Sequence, residues 1–173
     1  MATAPIASSV SDLPDGTPVY LLATVPDPDT FVADPTLPFS AIEPEPLVCF
    51  AAGTMIATPD GERPVESLEP GDVVLTADGR AVPVLWIGRQ TVHRVFTPAE
   101  RFRPVRIRAG ALGPNVPHAD LVVTADHALL VGGVLANAGA LVNDTSIVRV
   151  PMDELPERVT YFHVETEAHD LVL

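Results

Sequence analysis

From Cys49 to the end of the chain no long helical period is sustained; short β-rich runs return about every ten residues instead. They are Thr54-Met-Ile-Ala-Thr58, Asp72-Val-Val-Leu-Thr76, Val82-Pro-Val-Leu-Trp-Ile87, Val105-Arg-Ile-Arg108, Asp120-Leu-Val-Val-Thr124 and Ser146-Ile-Val-Arg-Val150. The dipeptides Asp60-Gly61, Asp78-Gly79 and Gly132-Gly133 fall between such runs, and each supplies residues that tolerate the positive φ of a tight hairpin. This pattern predicts an all-β domain over residues 49–173. Helical character is confined to the neighbourhoods of Val65-Glu-Ser-Leu68 and Asn137-Ala-Gly-Ala-Leu141, both shorter than an ordinary helix. Trp86, in an apolar run, is expected in the core.

Residues 1–48 read differently. They hold nine of the 19 prolines, seven acids and no basic residue. Val25-Pro-Asp-Pro-Asp-Thr30 and Glu43-Pro-Glu-Pro46 favour extended or polyproline-like backbone, because proline fixes its own φ and turns the residue before it away from the helical region. A partly ordered N-terminal leader is therefore expected, in which Val19-Tyr-Leu-Leu-Ala23 can add one strand.

Composition narrows the function. A chain of 173 residues that is 47% apolar can bury one core of ordinary size. The net charge of −13, with ten arginines and no lysine, argues against nucleic acid or an anionic membrane as partner, since a polyanion would be repelled. The first ten residues carry neither a basic start nor an apolar h-region, and no stretch approaches the roughly 18 apolar residues of a membrane helix. A soluble chain is expected, with any export by a non-classical route. Cys49 is the sole cysteine, so it cannot form an internal disulfide; it is inert core, a partner-reactive thiol or a nucleophile.

Two motifs bear on that choice. Cys49-Phe-Ala-Ala-Gly-Thr54 is followed by a strand-like run and then by Gly61-Glu-Arg-Pro-Val-Glu-Ser-Leu-Glu-Pro-Gly-Asp72. Thr124-Ala-Asp-His127 comes much later. In this order and spacing the motifs resemble the opening block and the Thr-x-x-His block of the Hedgehog/intein (Hint) superfamily. Its bacterial intein-like branch also has stretches like Pro104-Val-Arg-Ile-Arg-Ala-Gly-Ala-Leu112, Leu141-Val-Asn143 and Tyr161-Phe-His-Val164. The resemblance spans Cys49 to Leu173. It implies a horseshoe-like, pseudo-twofold all-β Hint fold, with the first cysteine beside the Thr-x-x-His tetrad.

It also implies autoprocessing: Cys49 attacks the carbonyl of Val48 and converts the Val48–Cys49 peptide into a thioester. An amide is a poor electrophile, so the shift needs a deprotonating thiol, a polarised carbonyl and a proton for the departing nitrogen. His127 is the expected proton donor, Thr124 the residue that holds the scissile group, and His163 the candidate base for the thiol. Many relatives carry Asp near the place of His163, and full inteins finish in a His-Asn pair where this sequence has Asp170-Leu-Val-Leu173. Cleavage or transfer of residues 1–48 to water, a thiol or an amine is therefore expected, rather than splicing. The substrate is the chain's own N-terminal segment.

Two other readings stay open: a silent Hint scaffold serving as an interaction module, and a conventional cysteine hydrolase using Cys49 and His127 on outside substrates. No cofactor is expected. The spacings of His93, His118 and His127 match no zinc pattern, so no metal is expected either. Asp126, next to His127, reads as a solvent-facing acid.

Overall fold

The computed structural model describes residues 19–22 and 48–173. The strands are β1 Val19–Leu22, β2 Phe50–Ala51, β3 Met55–Thr58, β4 Gly61–Pro64, β5 Val73–Leu75, β6 Ala81–His93 and β7 Val105–Ile107. They continue with β8 Leu121–Val123, β9 Ala128–Val131, β10 Val134–Asn137, β11 Ile147–Arg149, β12 Arg158–Thr166 and β13 Leu171–Val172. The fold is all-β, as the recurring runs predict. Among the described residues the helical stretches are 3-10 turns at Val65–Ser67 and Ala138–Leu141, where the sequence places them, and one α-helical turn, α1 Ala99–Phe102, which the sequence pattern does not indicate.

All strand pairs among the described residues are antiparallel. Seven strands form the sheet β11-β7-β8-β2-β12-β6-β5, four form β10-β9-β1-β13, and β3 and β4 make a separate hairpin. The three glycine-containing dipeptides lie at the β3–β4, β5–β6 and β9–β10 turns. Gly79, at φ 82°, shows why glycine is needed there: a side chain in that region is strained. The backbone of β1 pairs with β9 on one side and β13 on the other, so the leader contributes a strand to the smaller sheet.

The longest pairing joins β12 to β6, running from Arg158 opposite His93 to Thr166 opposite Val84, with a bulge at Glu165–Thr166. Both faces of β12 are covered, whereas β6 is largely exposed. Even-numbered Phe162 and Val164 of β12 point into the main core, with Phe50, Ile56, Val105, Val123, Leu129 and Ile147. Odd-numbered Val159 and Tyr161 enter a second cluster with Cys49, Ala51, Val92, Phe102, Val150 and Leu155. The split follows from the two-residue period of a strand. Full burial of a side chain such as Phe50 is worth about 1.5–3 kcal/mol. The second cluster is closed by arginines: Arg94 donates to the carbonyls of Met152 and Leu155 at 2.6 and 3.0 Å, and Arg103 to that of Val150 at 2.7 Å.

Candidate active site

Strand β2 lies between β8 and β12, with Phe50 level with Val123 on one side and Phe162 on the other. One step back along the same two registers, Cys49 comes level with Thr124 and His163. Residues directly opposed in antiparallel strands share a face, so pairing alone carries two distant parts of the chain to the Val48–Cys49 bond.

That bond is held at both ends. The Cys49 N–H donates to the Thr124 hydroxyl at 3.0 Å, and the hydroxyl contacts the Cys49 carbonyl at 3.3 Å, where the Thr124 N–H also donates at 3.0 Å. His163 Nδ1 lies 2.8 Å from the Val48 carbonyl oxygen. A carbonyl can only accept, so Nδ1 carries the hydrogen in this contact. Nε2 of His163 is buried without a hydrogen-bond partner.

His127 sits elsewhere in the same neighbourhood. Thr124-Ala-Asp-His127 is not part of a continuous strand from Leu121 to Val131: it forms the turn that carries the chain from β8 in one sheet to β9 in the other, closed by His127 N–H to Thr124 O at 3.1 Å. The turn buries the His127 ring completely and tilts it against Phe50, with centroids 4.6 Å apart. Neither ring nitrogen has a hydrogen-bond partner. Burial first, and the nearby His163 second, push its pKa down from 6.5 to about 3, while the Cys49 backbone acts weakly the other way. His127 is thus a neutral imidazole over the physiological range. Asp126 is exposed, as expected of a turn acid.

Cys49 is 7% exposed and faces the apolar second cluster. Desolvation pushes its pKa from 9.0 up to about 11, so the resting thiol is protonated. Tyr161 packs in the same cluster; its hydroxyl donates to the Phe102 carbonyl, and burial, then the Cys49 charge, raise its pKa.

Several motif residues are framework. The Gly53 N–H donates to Glu66 Oε2 at 2.8 Å and the Val65 N–H to the Thr54 carbonyl at 2.8 Å, fastening the Pro64-Val-Glu-Ser67 turn to the loop after Cys49. The Thr54 hydroxyl ties that loop to the Val122 carbonyl at 3.0 Å. The histidines considered as a metal set do not gather: His118 sits 3.2 Å from Glu62, His93 ends β6, and no cluster of three or more His, Cys, Asp or Glu side chains fit for a metal exists among the described residues.

Sequence reasoning misplaces Trp86, which is 53% exposed rather than in the core. It also misses Gly88, which lies opposite His163 on β6. A glycine inside a strand run is the signal that could have found it, since such glycines mark close approaches.

An all-β fold with its sole cysteine pinned against a Thr-x-x-His turn is the architecture that the family comparison matches. The chain belongs to the Hint domain family, whose sequence model matches residues 48–173. Among solved structures it is similar to the MchDnaB-1 intein, at 18% identity and a TM-score of 0.48, over 68% of this chain and 86% of that one. The zinc-bound Msm DnaB1 intein splicing domain is similar at 17% identity and a TM-score of 0.49, over 72% and 91%. The bacterial intein-like domain from Clostridium thermocellum is similar at 14% identity and a TM-score of 0.42, over 73% and 98%. No curated protein sequence matches. Among the described residues no helix is long and apolar enough to cross a membrane.

Proposed function

We propose that this chain cleaves or transfers its own N-terminal segment by an N-to-S acyl shift at Val48–Cys49. The observation that carries the reading is the double hold on one peptide bond, Thr124 on its N–H and His163 on its carbonyl, at the residue that bears the only thiol.

In the shift, Cys49 Sγ bonds to the Val48 carbonyl carbon as the C–N bond breaks. The thiol proton leaves sulfur and one proton reaches the Cys49 nitrogen, which becomes a free amine. His163 Nδ1–H faces the oxygen where negative charge develops, the position of an oxyanion-hole donor. With Nδ1 engaged there, His163 is assigned to carbonyl polarisation rather than to deprotonating the thiol.

The proton relay falls to His127. Moving the thiol proton to it before attack, from a pKa of about 11 to one of about 3, is uphill by on the order of 10 kcal/mol. Proton transfer therefore accompanies S–C bond formation. Once protonated in its apolar pocket, His127 is a strong acid and passes the proton readily to the leaving nitrogen. The thioester is then resolved by water, a thiol or an amine, which releases residues 1–48 and restores the thiol.

The apolar surroundings of Cys49 favour a rival reading, a silent Hint scaffold. A conventional cysteine hydrolase is a further reading; the cavities of about 240 and 420 Å³ beside Asn115–Leu121 and beside Asp78 and His169 are not lined by Cys49. Intact-mass analysis with and without a small thiol separates them. A fragment ending at Val48 that forms faster with thiol and is absent from Cys49→Ala supports the acyl shift; a chain whole under every condition, with its fold intact, leaves the scaffold.

A further inference from the structure

Strand β6 does something unusual beside the scissile carbonyl. Trp86 and Gly88 are two residues apart and so share a face, the same face as His163, which is level with Gly88. The Trp86 ring lies forward along the strand over the Gly88 α-carbon, with its centroid 6.2 Å from that of His163 and tilted by 51°. A methyl group on Gly88 would meet the Trp86 ring at 2.4 and 2.7 Å, and His163 Cβ at 3.3 Å. Real side chains essentially never approach at the first two distances. The ring can therefore occupy this place only over glycine.

Two observations separate this from simple strand packing. Trp86 remains 53% exposed, so it forgoes much of the burial that usually places tryptophan. The side chain it reaches is also the one whose Nδ1 holds the Val48 carbonyl. That contact demands a fixed ring orientation, yet Nε2 has no hydrogen bond to supply one. Orientation must come from packing, and Trp86 is the aromatic ring packed beside His163 among the described residues.

We infer that Trp86, admitted by Gly88, is a positioning residue that holds His163 in the orientation that places Nδ1–H on the Val48 carbonyl. The inference rests on the acyl-shift reading for its functional consequence but not for its geometry, so the two are tested apart.

The first arm uses the full chain carrying Cys49→Ala, which keeps the peptide bond whole, and follows the His163 imidazole by nitrogen-15 NMR, assigned by its loss in His163→Gln. The expected signature is a Nδ1–H tautomer with slow hydrogen exchange. It is lost on adding Trp86→Ala or Gly88→Ala and retained with Trp86→Phe, which keeps a ring in place. An unchanged signature in both Trp86→Ala and Gly88→Ala overturns the inference, as does its loss in Trp86→Phe with the fold intact. The second arm measures release of residues 1–48 from chains with Cys49 present: Trp86→Ala is expected to slow it by about 10- to 100-fold, the scale of a misplaced catalytic group, and Trp86→Phe by much less. If the parent chain releases nothing, the acyl-shift reading fails while the NMR arm still decides the positioning role.

Discussion

On one side of the Val48–Cys49 bond, the turn between β8 and β9 places His127 wholly out of water with neither nitrogen engaged; on the other, β12 leaves His163 half-buried with Nδ1 on the Val48 carbonyl. The residue type is the same and the environments differ. Burial without partners keeps His127 neutral and makes its cation a strong acid, which suits a group that takes a proton and gives it back. A ring with one nitrogen already bound to the carbonyl suits polarisation. Under the proposed acyl shift, surroundings rather than residue identity divide the two roles.

The contrast can be broken most completely at the thiol that both histidines would serve. Cys49→Ala is expected to abolish the fragment ending at Val48, read by intact mass; persistence of that fragment would remove the reaction from this site altogether. Next in size, His127→Ala should slow release by roughly 10²–10⁴-fold, the range for a lost general acid–base group. His163→Ala should cost about 10²-fold, as loss of one oxyanion donor does. His163→Gln, which can still donate, should recover part of it. Equal losses at the two histidines, with no recovery by glutamine, would show that they share one role.

Smaller effects sharpen the comparison through stability. In the uncut Cys49→Ala chain, Thr124→Val strands the buried amide N–H of residue 49 and is expected to cost about 1–3 kcal/mol in denaturant unfolding. For His127 the folded pKa lies below the unfolded value. Its contribution is therefore present above pH 6.5 and lost as pH falls from there toward about 3, because only the unfolded chain takes up the proton readily. The thermal midpoint should drop by several degrees across that window, and His127→Phe should flatten the drop. Cys49 has the opposite sign: its folded pKa is raised, so stability is full below pH 9.0 and declines as pH rises through about 11. Thermal melts of the Cys49→Ala chain should lose the part of the alkaline decline that starts near pH 9.0 and keep the part due to Tyr161, whose pKa burial also raises from 10.0.

Much of the molecule is legible in its residue types and their spacing. The β runs, the glycine turns at 61, 79 and 133 and the two 3-10 turns follow from them, while the candidates Cys49, Thr124, His127 and His163 come from the resemblance to the Hint superfamily. These are local properties: a two-residue period, a tolerated positive φ or a motif repeats its information within a few positions. The contribution of Val19–Leu22 to a sheet is visible as a strand, but its place between β9 and β13 is not.

What tertiary structure decided is everything that depends on register between distant strands. Pairing of β2 with β8 and β12 makes Thr124 a partner of the Cys49 amide and His163 a partner of the Val48 carbonyl. The crossing from one sheet to the other turns Thr124-Ala-Asp-His127 into a corner that buries its histidine. Trp86, an apolar residue in an apolar run, reads as core because hydrophobicity reports a preference for burial and not the face on which a side chain emerges. The register of β6 against β12 fixes that face and lays its ring over Gly88 beside His163. Sequence determined which groups are present and which segments are strands; long-range pairing determined which of those groups meet, because contact across a sheet depends on alignment between segments that lie far apart in the chain.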